Sequence, residues 1–185
     1  MQRHIIVTGI PASGKSTIGR AIADALGMPM LDKDEILEAM FDEQGIGNAE
    51  WRTRLSRAAD EAFKETALRS REAVITSWWR HPASLADSGT PVEWLSSLPG
   101  VVVEIHCVCG PHIAAERFLS RTRHAGHLDH WKTREELMAS FQQHAVLGPL
   151  GLGQVVLIDT EQALDLKDLL AEIETAMEAG GDEIG

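Results

Sequence analysis

Lys15 and Ser16 close a run, Gly9-Ile10-Pro11-Ala12-Ser13-Gly14-Lys15-Ser16, that reads G-x-x-x-x-G-K-S. That spacing belongs to a loop whose backbone N–H groups cradle phosphate oxygens. Its lysine reaches the outer phosphates of a nucleotide, and its serine hydroxyl is a ligand for magnesium. Thr17 adds a second hydroxyl or caps the following helix. Two carboxylates follow in Asp32-Lys33-Asp34. A hydroxyl is a weak nucleophile, so a phosphoryl transfer to it needs a carboxylate alongside to orient it and take its proton. Asp34, just past the end of a short strand, is placed for that work, because ligands of open α/β sheets sit outside the carboxyl ends of strands. Asp32 has two readings. It caps the next helix in a box with Glu35, or it touches magnesium through water.

The basic residues cluster once, at Arg117, Arg121, Arg123, Lys132 and Arg134. Arginines offer planar, permanently charged donors to phosphate oxygens. The third strand ends without an acid, and Ser77 stands near the position where a magnesium-binding carboxylate would be. Trp51, Trp78 and Trp79 line an acceptor pocket or fill core. His124, His127 and His130 have the spacing of a zinc site but lack a cysteine or strong fourth ligand, and Gly126 among them suggests a loop. Cys107 and Cys109 lie on alternate positions of one strand and read as reduced, partly buried thiols.

The elements that hold these residues follow from periodicity. His4–Thr8 is a short apolar strand before the loop, and Ser16 to Leu26 has its apolar residues on one helical face. Strands are expected at Met30-Leu31, Glu72–Ser77, Val101–Val108 and Val155–Ile158. Helices are expected after Asp32, over Glu50–Arg71, after Gly110-Pro111 through Arg121, from Thr133 to His144 and over Leu164–Met177. His81-Pro82 and Thr90-Pro91 also read as helix starts. The alternation predicts an α/β fold, a five-stranded parallel sheet with helices on both faces. Residues 1–178 form one domain, with a short lid over about 120–132 and a frayed tail at 179–185.

The chain has 185 residues, a net charge of −11 and 44% hydrophobic residues, a globular composition. Nine acids and one base lie between Asp159 and Glu183, a surface that repels a polyanion. Nucleic acid is therefore an unlikely partner. No apolar run has the length of a membrane span, and the first strand begins at once, so a cytoplasmic protein is expected, as a monomer or dimer.

Taken together, the P-loop, Leu31-Asp32-Lys33-Asp34-Glu35-Ile36, and Glu116-Arg117-Phe118-Leu119-Ser120-Arg121 with Arg123-His124-Ala125-Gly126-His127-Leu128-Asp129 resemble small P-loop kinases. The nearest group resembles predicted bacterial ATPases or kinases related to zeta toxins and chloramphenicol phosphotransferase. The resemblance implies a P-loop NTPase fold of the nucleoside-monophosphate-kinase type, with ATP and magnesium as cofactors. It implies that Asp34 is the proton acceptor, that Arg117 packs on adenine and that Arg121 and Arg123 belong to the lid. It also implies that Asp159 and Thr160 meet the adenine edge. The expected activity is transfer of the ATP γ-phosphate to a hydroxyl of a small molecule. The alternatives are a toxin-type kinase of nucleic-acid ends or nucleotide sugars, and a nucleotide-binding regulator with little transfer activity. Polynucleotide kinases carry an arginine shortly after the aspartate, where this chain has Ile36, Leu37 and Glu38.

Overall fold

The computed structural model describes residues 2–129 and 132–182. Its centre is β1 (Arg3–Gly9), whose Ile5, Ile6 and Val7 are fully buried because both faces of the strand are covered. Around it the sheet runs β2 (Met30–Asp32), β3 (Glu72–Thr76), β1, β4 (Val101–Val108), β5 (Gln154–Asp159), all parallel. This is the five-stranded parallel sheet expected from the alternation. Residue parity along β1 splits the core. Ile5 and Val7 pack with α1 (Lys15–Leu26) and α6 (Leu166–Asp182), through Ile18, Ile22, Ile173 and Met177. Ile6 packs on the other face with Phe63 and Ala67 of α3 (Ala49–Arg69) and with Trp79 and Trp94.

Strand register sets the functional edge. Val7 and Asp32 are both aligned with Thr76, and Gly9 with Cys107. The carboxyl ends of the three strands on the β2 side thus meet at one level. Two helix pairs flank that edge. α2 (Lys33–Gln44) packs on α3 around Phe41, Leu55 and Ala59. α4 (Pro111–Ser120) packs on α5 (Arg134–Ala145) around Phe118, Leu137 and Phe141. The Thr133–Glu136 capping box that opens α5 is present in full.

Several expectations need correction. No helix starts at His81-Pro82, which forms a turn, or at Thr90-Pro91. The Thr90 hydroxyl is used in tertiary hydrogen bonds to Asp60 and Ser77, and its backbone pairs with Trp78, so it caps nothing. A single 3-10 turn, Glu93–Ser97, follows. Arg121 lies just past α4 in an extended conformation. The expected frayed tail is helical through Asp182, and a Cβ on Gly180 would approach Val101 Cγ1 to 2.9 Å. Residues 183–185 of that tail, and His130 of the histidine series, lie outside the described residues. Among the described residues no helix is long and apolar enough to cross a membrane.

Burial of Glu104 on β4 was not anticipated. Its side chain is 0% exposed and accepts hydrogen bonds from Thr8 Oγ1 (2.6 Å) and from the backbone N–H groups of Leu150 (2.8 Å), Gly151 (2.8 Å) and Leu152 (3.0 Å). One carboxylate so satisfies the loop that turns into β5. Glu104→Gln replaces one acceptor oxygen by a donor facing N–H groups. It should lower unfolding stability by about 2–3 kcal/mol in urea titrations. An unchanged midpoint would mean that the loop is held by other contacts.

Candidate active site

The P-loop leaves β1 at Gly9, where φ is +132° and a Cβ would lie 2.5 Å from the Cys107 carbonyl oxygen. Only glycine fits there. Ser13 N–H closes a turn onto Ile10 O at 3.2 Å, and Gly14 enters α1 with φ +95°. Ala12 takes a left-handed conformation, φ 61°, a strain that tight functional loops tolerate. Lys15 Nζ donates to Ile10 O at 2.8 Å. Burial pulls its pKa down to about 8, countered in part by Cys107, Asp34 and Asp32. An anion in the loop would restore the full charge.

Ser16 Oγ donates to Asp32 Oδ2 at 2.7 Å. Asp32 is also the N-cap of α2, accepting from Asp34 N–H at 3.0 Å through its other oxygen. Asp32 thus caps α2, but not in a box with Glu35, which instead pairs with Arg20 at 2.5 Å. Burial raises the Asp32 pKa, with the Ser16 hydrogen bond opposing it. The Ser77 hydroxyl, at the end of the third strand, lies 2.6 Å from the Thr90 hydroxyl. The polar atom left open is Thr76 Oγ1, buried without a partner on the residue aligned with Asp32. Ser16, Asp32 and Thr76 form an all-oxygen donor set of the kind a hard divalent cation takes, so the residues fit magnesium.

A cleft of about 1080 Å³ runs over this edge of the sheet. Its β4–β5 side holds Arg117, Asp159 and Thr160. Arg117 donates to Thr160 O at 2.9 Å, and a Cβ on Gly14 would lie 3.6 Å from Thr160 Cβ, so this turn borders the P-loop. The β2–β3 side is lined by Asp34, Arg52, Ser56, Asp60, Thr76, Trp78 and Arg80. Trp78 is 37% exposed there. Trp79 does not line this cleft. It is 5% exposed and packs against Phe63 and Trp94, with its ring N–H donating to Val7 O at 2.9 Å. Trp51 stacks on Phe41.

Residues 121–129 dock onto one face of α2. Arg123 pairs with Asp34 at 2.6 Å and with Asp129 at 2.5 Å, while His127 Nε2 lies 2.7 Å from Glu38 and His124 Nε2 lies 3.3 Å from Asp42. Asp34, Glu38, Phe41 and Asp42 recur at helical spacing, which sequence reasoning passed over. His124 stacks on Phe41, and His127 meets it edge-on. These histidines therefore serve docking, and among the described residues no group of His, Cys, Asp and Glu can hold a metal ion. Burial favours the neutral Asp34 carboxyl, but Arg123, His127 and Lys33 outweigh it and hold the pKa below the usual range. Burial and Arg123 lower that of His127. Arg121 lies over the Phe118 ring at 4.7 Å.

Residues 5–146 match the family described as AAA domain, and the chain belongs to that family. A shikimate kinase of Paracidovorax citrulli (strain AAC00-1) is 33% identical over 102 residues, 55% of this chain and 46% of that enzyme. The chain thus spans about half to two thirds of the length of the curated relatives it matches first. Its fold is shared over 95% of its length with a Chloroflexus aurantiacus j-10-fl protein carrying a provisional kinase name, at TM-score 0.76 and 28% identity over 98% of that chain. A gluconokinase from Sinorhizobium meliloti 1021 shares the fold at TM-score 0.58 and 20% identity, over 99% of this chain and 95% of its own. The fold is that of the small P-loop kinases.

Docking depends on Gly126, whose added Cβ would lie 2.5 Å from Phe41 Cγ. Gly126→Ala should loosen residues 121–129, read as at least tenfold faster amide exchange there, with β1 and β4 unchanged. Equal protection in both proteins would show that the glycine is not what lets this segment dock.

Proposed function

We propose that the protein is a magnesium- and ATP-dependent kinase that transfers the γ-phosphate of ATP to a hydroxyl of a small molecule. The observation that carries this reading is the placement of Asp34 across one cleft from the P-loop. Its carboxylate is half-exposed and held ionised beside Arg123.

ATP lies with its phosphates on the P-loop N–H groups and the N-terminus of α1. Arg117, Asp159 and Thr160 border its base. Lys15 leaves Ile10 O for the outer phosphates. Ser16 and Asp32, beside Thr76, would hold a magnesium ion, which when bound would supply charge neutralisation for the phosphates. Asp34 accepts the acceptor's proton as its oxygen forms the new bond to phosphorus and the bond from phosphorus to the β–γ bridging oxygen breaks. Arg121 and Arg123 face the transferring group, with Arg123 exchanging its Asp34 partner for phosphate oxygens. The leaving oxygen stays on ADP. Such chemistry is mostly positioning and charge stabilisation.

A small acceptor is favoured over a nucleic-acid end by the net charge of −11 and the acidic stretch from residue 159 onward. The narrower kinship to zeta toxins and chloramphenicol phosphotransferase rests on the segments at 31–36 and 116–129. An oxygen donor set at the magnesium position counts against a binding-only regulator. The enzyme works in the cytoplasm, as a monomer or dimer, with its buried thiols reduced.

Lys15→Ala should abolish tight ATP binding with the fold intact by circular dichroism. Asp34→Asn should keep ATP affinity within about twofold and lower transfer by about a hundredfold or more. Calorimetry with ATP and a radiolabelled transfer assay over a panel of hydroxylated metabolites and antibiotics read both. Full transfer by Asp34→Asn would remove Asp34 from the mechanism.

A further inference from the structure

The cleft is lined by nine basic and six acidic side chains, in a chain whose net charge is −11. Five of the basic residues, Lys15, Arg117, Arg121, Arg123 and Lys132, lie on the P-loop, α4 and the segment after it, where a nucleotide's phosphates account for them. The other four are Lys33, Arg52, Arg57 and Arg80, on the β2–β3 side. Lys33 is neutralised within the fold, at 3.1 Å from Asp60 and 2.8 Å from Ser56. That leaves three guanidinium groups at the acceptor end.

Two of them carry unmet donors. Arg52 Nε and Arg80 Nε are both buried and hydrogen-bond to nothing among the described residues. A buried, charged N–H without an acceptor is costly, and folds seldom leave one for structural reasons. Arg80 is partly occupied, with one terminal nitrogen 2.6 Å from Asp87 and the other 3.4 Å from Gly89 O, but neither contact meets its Nε. Arg52, Ser56 and Asp60 follow one another at four-residue spacing, so they share the face of α3 that lines the cleft. The segment bearing Arg80 is fixed by Thr90, which donates to Asp60 at 2.9 Å and pairs by backbone with Arg80 and Trp78. Both arginines thus stand on anchored backbone.

We infer that the acceptor carries an anionic group, a carboxylate or a phosphate ester, bound by Arg52 and Arg80 with its hydroxyl turned to Asp34. This rests on the kinase reading above, and supplies the part of the acceptor that the reading leaves open. A guanidinium presents paired donors to a planar carboxylate or a phosphate, and the charge-assisted bonds are strong in a partly dry cleft. Arg57, exposed on the next position around α3, adds long-range attraction.

The test uses the full chain with its P-loop saturated by magnesium and a non-hydrolysable ATP analogue, so that anions report on the acceptor end alone. Calorimetry measures binding of three sets of probes. One set is hydroxylated carboxylates (gluconate, shikimate, glycerate), one is phosphate esters (glucose phosphate, glycerol phosphate), and one is neutral (glucose, glycerol, methyl shikimate). Binding confined to the first set names a carboxylate, and to the second a phosphate ester. The best ligand should lose about tenfold to a hundredfold in affinity in Arg52→Gln and in Arg80→Gln, with affinity for the ATP analogue and the circular dichroism spectrum unchanged. Neutral probes that bind as well as their charged counterparts, no anion binding at all, or arginine variants with unaltered affinity would each overturn the inference. If an anion binds through these arginines but ATP is never turned over, the anionic site stands and the kinase reading fails. If a neutral alcohol is phosphorylated in preference, the kinase reading stands and the anionic site fails.

Discussion

The two hydrogen bonds of Asp32 join the halves of the cleft. One carboxylate oxygen takes the Ser16 hydroxyl at the start of α1, and the other takes the Asp34 N–H at the start of α2. The residue sits at the end of β2 in register with Thr76, so the sheet fixes its height relative to the P-loop. The P-loop end of α1 and the Asp34 end of α2 are thereby referred to the same strand ends. The cost is a buried carboxylate whose pKa is pushed up by desolvation. Such a cost is tolerated where the group has work to do, and a divalent cation beside it would relieve the penalty.

A second constraint follows from charge. The chain is acidic overall, yet its cleft gathers more bases than acids. Each acid in the cleft with a close basic neighbour is held in place by it. Asp60 holds Lys33 and Thr90, and Asp87 holds Arg80. Asp34 is different because its partner, Arg123, comes from the far side of the cleft. That pair ties the segment after α4 to the start of α2 across the cleft. Residues 121–129 and Asp34 are thus linked by one guanidinium, and His124 and His127 of that segment seat on Phe41.

Much of this was legible in the sequence. The P-loop is a local device: its glycines, lysine and serine act on the same few ångströms of backbone, so their spacing alone specifies it. The strands and helices follow from period and from stop signals, and the capping box at Thr133 and Glu136 is a contact between residues three apart. Asp34 could be singled out because its position relative to a strand end is itself local.

Only the tertiary structure decided which distant residues meet. Arg123 and Asp34 are 89 positions apart, and nothing in either neighbourhood announces the other. Thr76 is aligned with Asp32 by the parallel register and its hydroxyl has no partner among the described residues, whereas the hydroxyl of the adjacent Ser77 is engaged by Thr90, thirteen positions away. Trp78 and Trp79 divide between cleft and core for the same reason of alternation. Thr90 has the look of a helix cap, but the Asp60 carboxylate on α3 claims its hydroxyl. Glu104 lies inside because four donors converge on it from β1 and the loop before β5. Local sequence determines backbone conformation over a few residues, whereas pairing across the cleft depends on how the sheet brings its strand ends level.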